Sequence, residues 1–304
     1  MPKRMMNSYL LKKRFKGFII ALVRYIFIIG ICFIVLYPLL IKISLAFMAE
    51  QDLYDPTVNY IPKNFTLLNI KRVMDYMNYW PSFAQTLVIS LSSALLQMMS
   101  CILTGYGLAR YQFRGNKLVF FLVLLTLVVP PQTLYVPLYL QYRTLGLIDN
   151  ITPFLILSGT CMGLKNGLYI YITRQFFKNM PKELEESAFI DGAGTATTFF
   201  RIMLPGASAA MLVIFVLSFV WQWTDVFYSS MFLNKINVLS KELVGLGYFL
   251  IRQIYTGSGS GISMAYQGIL DATGLLLMIA PLIIVYVFIQ RRFIESVERT
   301  GIVG

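Results

Sequence analysis

Four of the chain's fourteen acidic residues stand close together: Glu183, Glu185, Glu186 and Asp191. They lie in the stretch Pro181–Pro205, the one long mixed polar segment between two strongly apolar ones. The chain has no histidine and no Gly-x-x-x-x-Gly-Lys-Ser/Thr loop. That excludes His-based metal binding, His proton relays and a P-loop nucleotide site in this chain. What these carboxylates can do is electrostatic. They can make charge-assisted hydrogen bonds to a basic partner, or complement the positive end of a helix. The same stretch displays Leu184, Phe189, Ile190, Phe199, Phe200, Ile202 and Met203. Two readings stand: a solvated loop whose apolar groups lean on a membrane base, or a short helix laid into another protein's groove.

A second set of candidates sits inside apolar runs: Lys165, Asp225 and Asp271, with Trp221 and Trp223 beside Asp225. Ionisable residues at membrane depth face a bundle interior or a wet cavity, so these are candidates for a transport path. Against that reading, the two aspartates can lie near a hydrated interface and Lys165 can pair with a neighbouring subunit. The tryptophans can equally serve as interface-belt residues or as a ligand platform.

The elements that must position these residues follow from composition. Hydrophobic residues make up 57% of the 304 and charged residues only 13%, about half the charge share of a soluble domain. Apolar runs of spanning length recur, which makes this a polytopic membrane protein. The net charge of +12 is spread between those runs as topology signals, not gathered on one face as for nucleic acid. Cys32, Cys101 and Cys161 fall within apolar runs without paired spacing and read as small buried hydrophobes.

Within Pro181–Pro205 two short helices fit. The first starts at Pro181 with Asn179 as cap, carries three carboxylates in its first turns, and stops at Gly192, which can take the left-handed conformation. The second begins near Thr195 and runs to Leu204, before Pro205 resets the backbone.

Six spans are expected, roughly 18–48, 83–109, 118–140, 151–173, 207–233 and 262–289. The first is too long for a cleaved signal core and reads as a retained span. Pro130, Pro131 and Pro137 predict a kinked or unwound third span. Gly105 and Gly107 suit close helix contact in the second. Residues 49–81 read as an ordered loop with a short helix after Thr66, and 257–261 as a flexible connector. The domain reading is a basic N-terminus at 1–17, a six-span transmembrane domain at 18–292 with its polar loop at 179–205, and a C-terminal tail at 293–304. Seventeen of the 26 Lys and Arg lie on the side of both termini and the 179–205 loop, and eight on the other, with Lys165 remaining. By the positive-inside rule both termini and that loop are cytoplasmic.

The spacing Glu186-Ser187-Ala188, Gly192, Ile202-x-Leu204-Pro205 resembles the cytoplasmic coupling loop of binding-protein-dependent ABC importer permeases. The flanking Arg-Gln-Phe-Phe-Lys-Asn-Met-Pro-Lys-Glu-Leu-Glu-Glu-Ser-Ala-Phe-Ile-Asp-Gly-Ala is similar to the carbohydrate, maltose-type branch. So are Ile-Pro-Lys-Asn-Phe-Thr at 61–66, Gly-Tyr-Gly-Leu-Ala-Arg-Tyr-Gln-Phe-Arg-Gly at 105–115 and Trp-Gln-Trp-Thr-Asp at 221–225. Departures are Ser187 for the usual alanine, Thr224-Asp225 for the usual Asn-acidic pair, and a tail without the usual lysine.

The resemblance implies an all-α subunit of a sugar or oligosaccharide importer in a bacterial or archaeal cytoplasmic membrane. Its partners would be membrane lipid, a second permease as a heterodimer, two ATPase subunits and an extracytoplasmic solute-binding protein; nucleic acid is not among them. This chain would bind no cofactor and do no chemistry, with ATP and Mg on the partner ATPase. The coupling residues implied are Glu185, Glu186, Ser187, Ala188, Asp191, Gly192, Phe199, Ile202, Leu204 and Pro205. Lys165 in the path would suit an anionic sugar. Alternatives are an ABC permease for a non-sugar solute, and a stand-alone secondary carrier. The carrier is opposed by the lack of a visible internal repeat and the scarcity of embedded carboxylates.

Overall fold

The computed structural model describes residues 3–256 and 263–301; the connector expected at 257–261 lies outside the described residues. Among the described residues the regular structure is helical, with one isolated antiparallel bridge between Met48 and Phe65. The chain divides into two compact units, Met1–Val73 with Leu250–Leu276 and Met74–Phe249 with Leu277–Gly304.

The first unit is led by helix α1 (Lys3–Ala46), whose segment Phe15–Ala46 includes an apolar stretch of mean hydropathy 2.8 with no buried residue, while its last residue, Ala46, is buried. Helix α1 offers apolar side chains all round, as a lipid- or partner-facing span does. Cys32 is exposed on it, which corrects the expectation that all three cysteines are buried.

The loop after α1 is ordered by one buried carboxylate. Asp52 accepts hydrogen bonds from the Lys63 and Asn64 backbone N–H groups, both at 2.8 Å, and from Asn64 Nδ2 at 2.7 Å. Asp55 accepts from the Thr57 hydroxyl and N–H and pairs with Lys63 at 3.1 Å. Helix α2 (Leu68–Tyr76) starts where expected, with the Leu68 N–H donating to Thr66 Oγ1. Asn69 of α2 donates to the Ala46 and Met48 carbonyls and accepts from Tyr266 Oη.

The second unit is built round α3 (Tyr79–Arg110). Helices α4 (Asn116–Val128) and α5 (Tyr135–Thr144) follow, joined through a 3-10 turn at Pro131–Leu134 and bent by 98°. This is the proline-directed break expected in span three. Span four is not one helix. Helices α6 (Thr152–Gly159) and α7 (Asn166–Asn179) are separated by non-helical backbone at 160–165, with Cys161 at φ +58° and Lys165 at φ +60°.

The polar hairpin holds α8 (Glu183–Ile190) and α9 (Thr195–Thr198), continued by a π turn at Phe199–Met203 and α10 (Leu204–Gly206). Helix α8 starts two residues later than expected. Lys182 stands at its cap, and Asn179 is the last residue of α7. Helix α11 (Ser208–Trp223) leaves α9–α10 at a 74° bend at Ala207; Pro205, expected to reset the backbone, instead lies within α10 at its first turn, where a proline is tolerated. Span five ends early: α12 (Phe227–Phe232) is separate. Helix α13 spans Leu239–Thr256, and α14 (Met264–Gly301) carries the last span on into the polar tail.

Among the described residues three helices are long and apolar enough to cross a membrane, or up to five if each bent pair counts as one span. The expected six would require the broken α6–α7 segment to count as well.

Helices α7, α11 and α6 pack on α3. A Cβ at Gly105 would sit 2.0 Å from Thr173 Oγ1 and 3.0 Å from the Arg174 nitrogen, so only glycine admits this approach of α3 to α7. Gly107, by contrast, meets nothing within 4 Å. The core here joins Cys101, Ile102, Tyr106, Tyr169, Phe177, Phe199, Met203 and Ile214.

The Asp52–Asp55 loop yields a testable expectation. Hydrogen bonds from Thr57 and the Lys63 pair hold the Asp55 carboxyl down at about 2, and those from Asn64 and Lys63 depress Asp52 too. Depressed carboxylates stabilise above their unfolded value, near 3.9, and lose that contribution as pH falls toward 2. At neutral pH Asp52→Ala should therefore expose Lys63 to trypsin at least about five-fold faster, and the wild-type loop should loosen only below about pH 4. Equal cleavage rates in variant and wild type at neutral pH would contradict this.

Candidate functional site: the polar hairpin and the broken span

The hairpin is a structured object. Helix α8 ends in a full Schellman arrangement: the Gly192 N–H donates to the Phe189 carbonyl at 3.1 Å and the Ala193 N–H to the Ala188 carbonyl at 2.9 Å. Gly192 has φ +83°, which L side chains rarely adopt, so its place in the sequence pattern has a backbone cause.

The hairpin has two faces. Ala188, Phe199 and Met203 are buried, with the Phe199 ring 4.8 Å from that of Tyr106. Ile202 and Leu204 are half-buried beside them. The other face carries Leu184, Phe189, Phe200 and Ile190, the last 85% exposed, together with Glu183, Glu186, Ser187, Asp191 and Pro205. Ser187 spends its hydroxyl on the Glu183 carbonyl. Three acids in the first turn of α8 match the helix dipole.

Glu185 behaves unlike its neighbours. Its Oε1 accepts from Tyr106 Oη at 2.8 Å and its Oε2 lies 3.3 Å from Arg110 Nε, an ion pair whose angle falls short of a hydrogen bond. The same guanidinium donates through Nη2 to the Met180 carbonyl at 2.9 Å and, at 3.5 Å, to that of Pro181. The side chains of Arg110 and Glu185 are 6% and 12% exposed. Tyr106 and Arg110 stand in the 105–115 stretch that carries the resemblance, but sequence gives neither a role at the hairpin, because Arg110 looks like one more topology charge.

At the other end of α7 the break is closed by Gln97 of α3. Its Nε2 donates to the Leu164 carbonyl and to Asn166 Oδ1, both at 2.5 Å, and its Oε1 accepts from Ser218 Oγ of α11 at 2.7 Å. Backbone groups freed at a helix break need another partner, and Gln97 supplies one here. Lys165, exposed at the start of α7, sets its ammonium 4.8 Å from the centre of the exposed Trp221 ring, a cation–π contact. Two of the expected path residues thus meet. The residues next to them, Asn166 and Gln222, are each 7% exposed, and Asn166 Nδ2 and Gln222 Nε2 have no partner among the described residues.

The remaining candidates are placed elsewhere. Trp223 is buried and donates its indole N–H to the Met278 carbonyl. Asp225 is buried and accepts from the Tyr228 and Ser229 N–H groups, closing the start of α12. Asp271 is half-buried on α14. Among the described residues no group of three His, Cys, Asp or Glu is placed to hold a metal ion.

A helical bundle with long apolar spans, a broken span and an anchored polar hairpin defines a membrane permease. Residues 101–299 match the family described as "Binding-protein-dependent transport system inner membrane component", and the chain belongs to it. It is a multi-pass inner-membrane transport subunit, not an enzyme. The chain is 27% identical over 277 residues to the arabinooligosaccharides transport system permease protein AraQ of Halalkalibacterium halodurans, covering 90% of this chain and 93% of that one. It is 28% identical to the maltodextrin transport system permease protein MdxG of Bacillus subtilis, over 92% of this chain and 95% of MdxG. For MalD of Streptococcus pneumoniae, also a maltodextrin permease, identity is 28% over 98% and 99%. The fold is shared, at a TM-score of 0.73 and 22% identity over 91% of this chain and 98% of the other, with a chain of a bacterial ABC transporter involved in import of the acidic polysaccharide alginate.

Removing Gln97 should be felt throughout the bundle. Gln97→Leu leaves the Leu164 carbonyl, Asn166 and Ser218 short of a partner, at about 1–3 kcal/mol for each buried group. Thermal unfolding of the purified permease should show a loss of at least about 2 kcal/mol; an unchanged melting curve would contradict the assignment.

Proposed function

We propose that this chain forms one half of the translocation path of an ATP-binding-cassette importer for a sugar or oligosaccharide. The observation that carries the reading is the two-faced hairpin. One face is locked into the bundle through Phe199 and Met203, while the other offers Ile190 at 85% exposure among Glu186 and Asp191. An apolar, acid-rimmed helix held out from a membrane protein fits a groove on a soluble partner. The family's dependence on a binding protein supplies the solute-delivering partner. The names of the relatives, arabinooligosaccharide and maltodextrin permeases, support a carbohydrate cargo.

In this reading six spans cross the membrane, with the α6–α7 segment as a broken fourth span. The excess of Lys and Arg puts both termini and the hairpin in the cytoplasm. A second, non-identical permease completes the path. Two ATPase subunits sit below, binding ATP and Mg, and closure of their dimer moves the hairpin and the spans attached to it. Glu186 makes a charge-assisted contact with a basic residue of the ATPase. Asp191 and Gly192 shape the turn that presents Phe199, Ile202, Leu204 and Pro205. Lys165 and Trp221 face the path, where an indole offers a flat apolar face to a sugar ring and the ammonium a charge to an acidic one. Trp223 and Asp225 support that path, and Asp271 on α14 is a separate candidate for it.

Two expectations test this. Gly192→Val should abolish ATP-driven uptake by the assembled transporter while the subunit still inserts, because valine resists φ +83°; normal uptake would reject the role of the turn. Lys165→Met should depress uptake of acidic oligosaccharides at least about ten-fold more than that of neutral ones, a difference of about 1.4 kcal/mol. Equal effects on both would remove Lys165 from recognition.

A further inference from the structure

Arg110 ends α3 and touches three things at once: the Met180 and Pro181 carbonyls just after α7, and the Glu185 carboxylate of α8. Tyr106, one turn back on α3, holds the other oxygen of that carboxylate. All of this lies where the hairpin leaves the bundle. An ion pair this deeply buried costs desolvation, and breaking one side of it leaves an uncompensated charge, so it resists being opened. The coupling reading puts Glu185 with the residues that meet the ATPase. The structure instead engages both of its oxygens inside the chain.

We propose that Arg110, Glu185 and Tyr106 form a rigid joint that makes the hairpin, α3 and α7 move as one body. Glu185 is thereby a positioning residue, not an ATPase contact. This rests on the coupling reading above and deepens it, because a hairpin pushed by a motor is useful only if it cannot flex against the spans. The far end of the same body is fastened as well. Gln97 of α3 grips the start of α7 at Leu164 and Asn166, beside Lys165 and Trp221. Helix α7, about 21 Å long at 1.5 Å per residue, therefore runs from the joint to the break in span four. A displacement at Glu185 is delivered to the Lys165–Trp221 pair without slack.

The test is a distance measurement in the whole transporter, with its ATPases and second permease, reconstituted in lipid. Spin labels go on cysteines at Glu183 of α8 and Leu103 of α3, both exposed, in a background where the exposed Cys32 is serine. Distances are read in the nucleotide-free state and in the state trapped with ADP and vanadate. The joint predicts one narrow distance, unchanged between the two states. In Glu185→Gln the distribution should at least double in width in the trapped state, and the charge exchange Glu185→Arg with Arg110→Glu should narrow it again. A role in folding alone predicts no such state-dependent spread. Should Glu185→Gln fail to assemble, Tyr106→Phe removes only the hydroxyl bond and is read the same way. A Glu185→Gln or Tyr106→Phe distribution superimposable on wild type in both states overturns the joint alone. Failure of any ATPase to co-purify with the wild-type chain overturns the coupling reading beneath it.

Discussion

Inside a membrane no water is available to satisfy a free N–H or C=O, and each such group left alone costs several kcal/mol. The structure depends on how that constraint is met wherever the chain stops being helical. Within α3, α11 and the body of α14 the helix itself answers it. At the break in span four it is answered by Gln97, whose amide reaches the Leu164 carbonyl, Asn166 and Ser218. At the hairpin, outside the apolar segments, the freed groups are met by the Gly192 turn and by Arg110, which covers the Met180 and Pro181 carbonyls just after α7. Two irregular places, each fastened to α3, lie at opposite ends of α7.

That arrangement gives the permease fold a mechanical sense. Gly105 lets α7 lie directly against α3, where Thr173 returns a hydrogen bond to the Cys101 carbonyl. Packed interiors are stiff, so a well-filled pair of helices transmits displacement instead of absorbing it. The exposed face of the hairpin and the exposed Lys165–Trp221 contact are then two ends of one rod. In the proposed reading one end meets a protein and the other a solute.

Much of this was legible in the sequence, and the parts that were not have physical reasons. Composition and apolar length announced a polytopic helical protein. Pro130 and Pro131 announced a broken third span, which bends by 98°. Gly192 and Thr195 marked the hairpin turn and the next helix, because only a few residue types suit those positions. The break in span four was not legible. Neither Cys161 nor Lys165 is a type that normally takes positive φ, and the segment's hydrophobicity reads as continuous. What stabilises the break is a glutamine some seventy residues earlier, which no local pattern reveals. The role of Glu185 was obscured for a similar reason. In sequence it is one of three alike carboxylates, and only the helical turn directs it inward to Arg110 while Glu186 faces out. Trp223 and Asp225 were set beside Trp221 by sequence, but α11 turns the first of them into the core and ends before the second.

The central claim is that the hairpin between α7 and α11 is held out on the cytoplasmic side for another protein to grip. Photo-crosslinking from a benzophenone amino acid at Ile190, in intact cells, measures this most directly. The account predicts one dominant adduct, between this chain and a nucleotide-binding ATPase subunit. Adducts with an extracytoplasmic protein, or none beyond lipid, would contradict it.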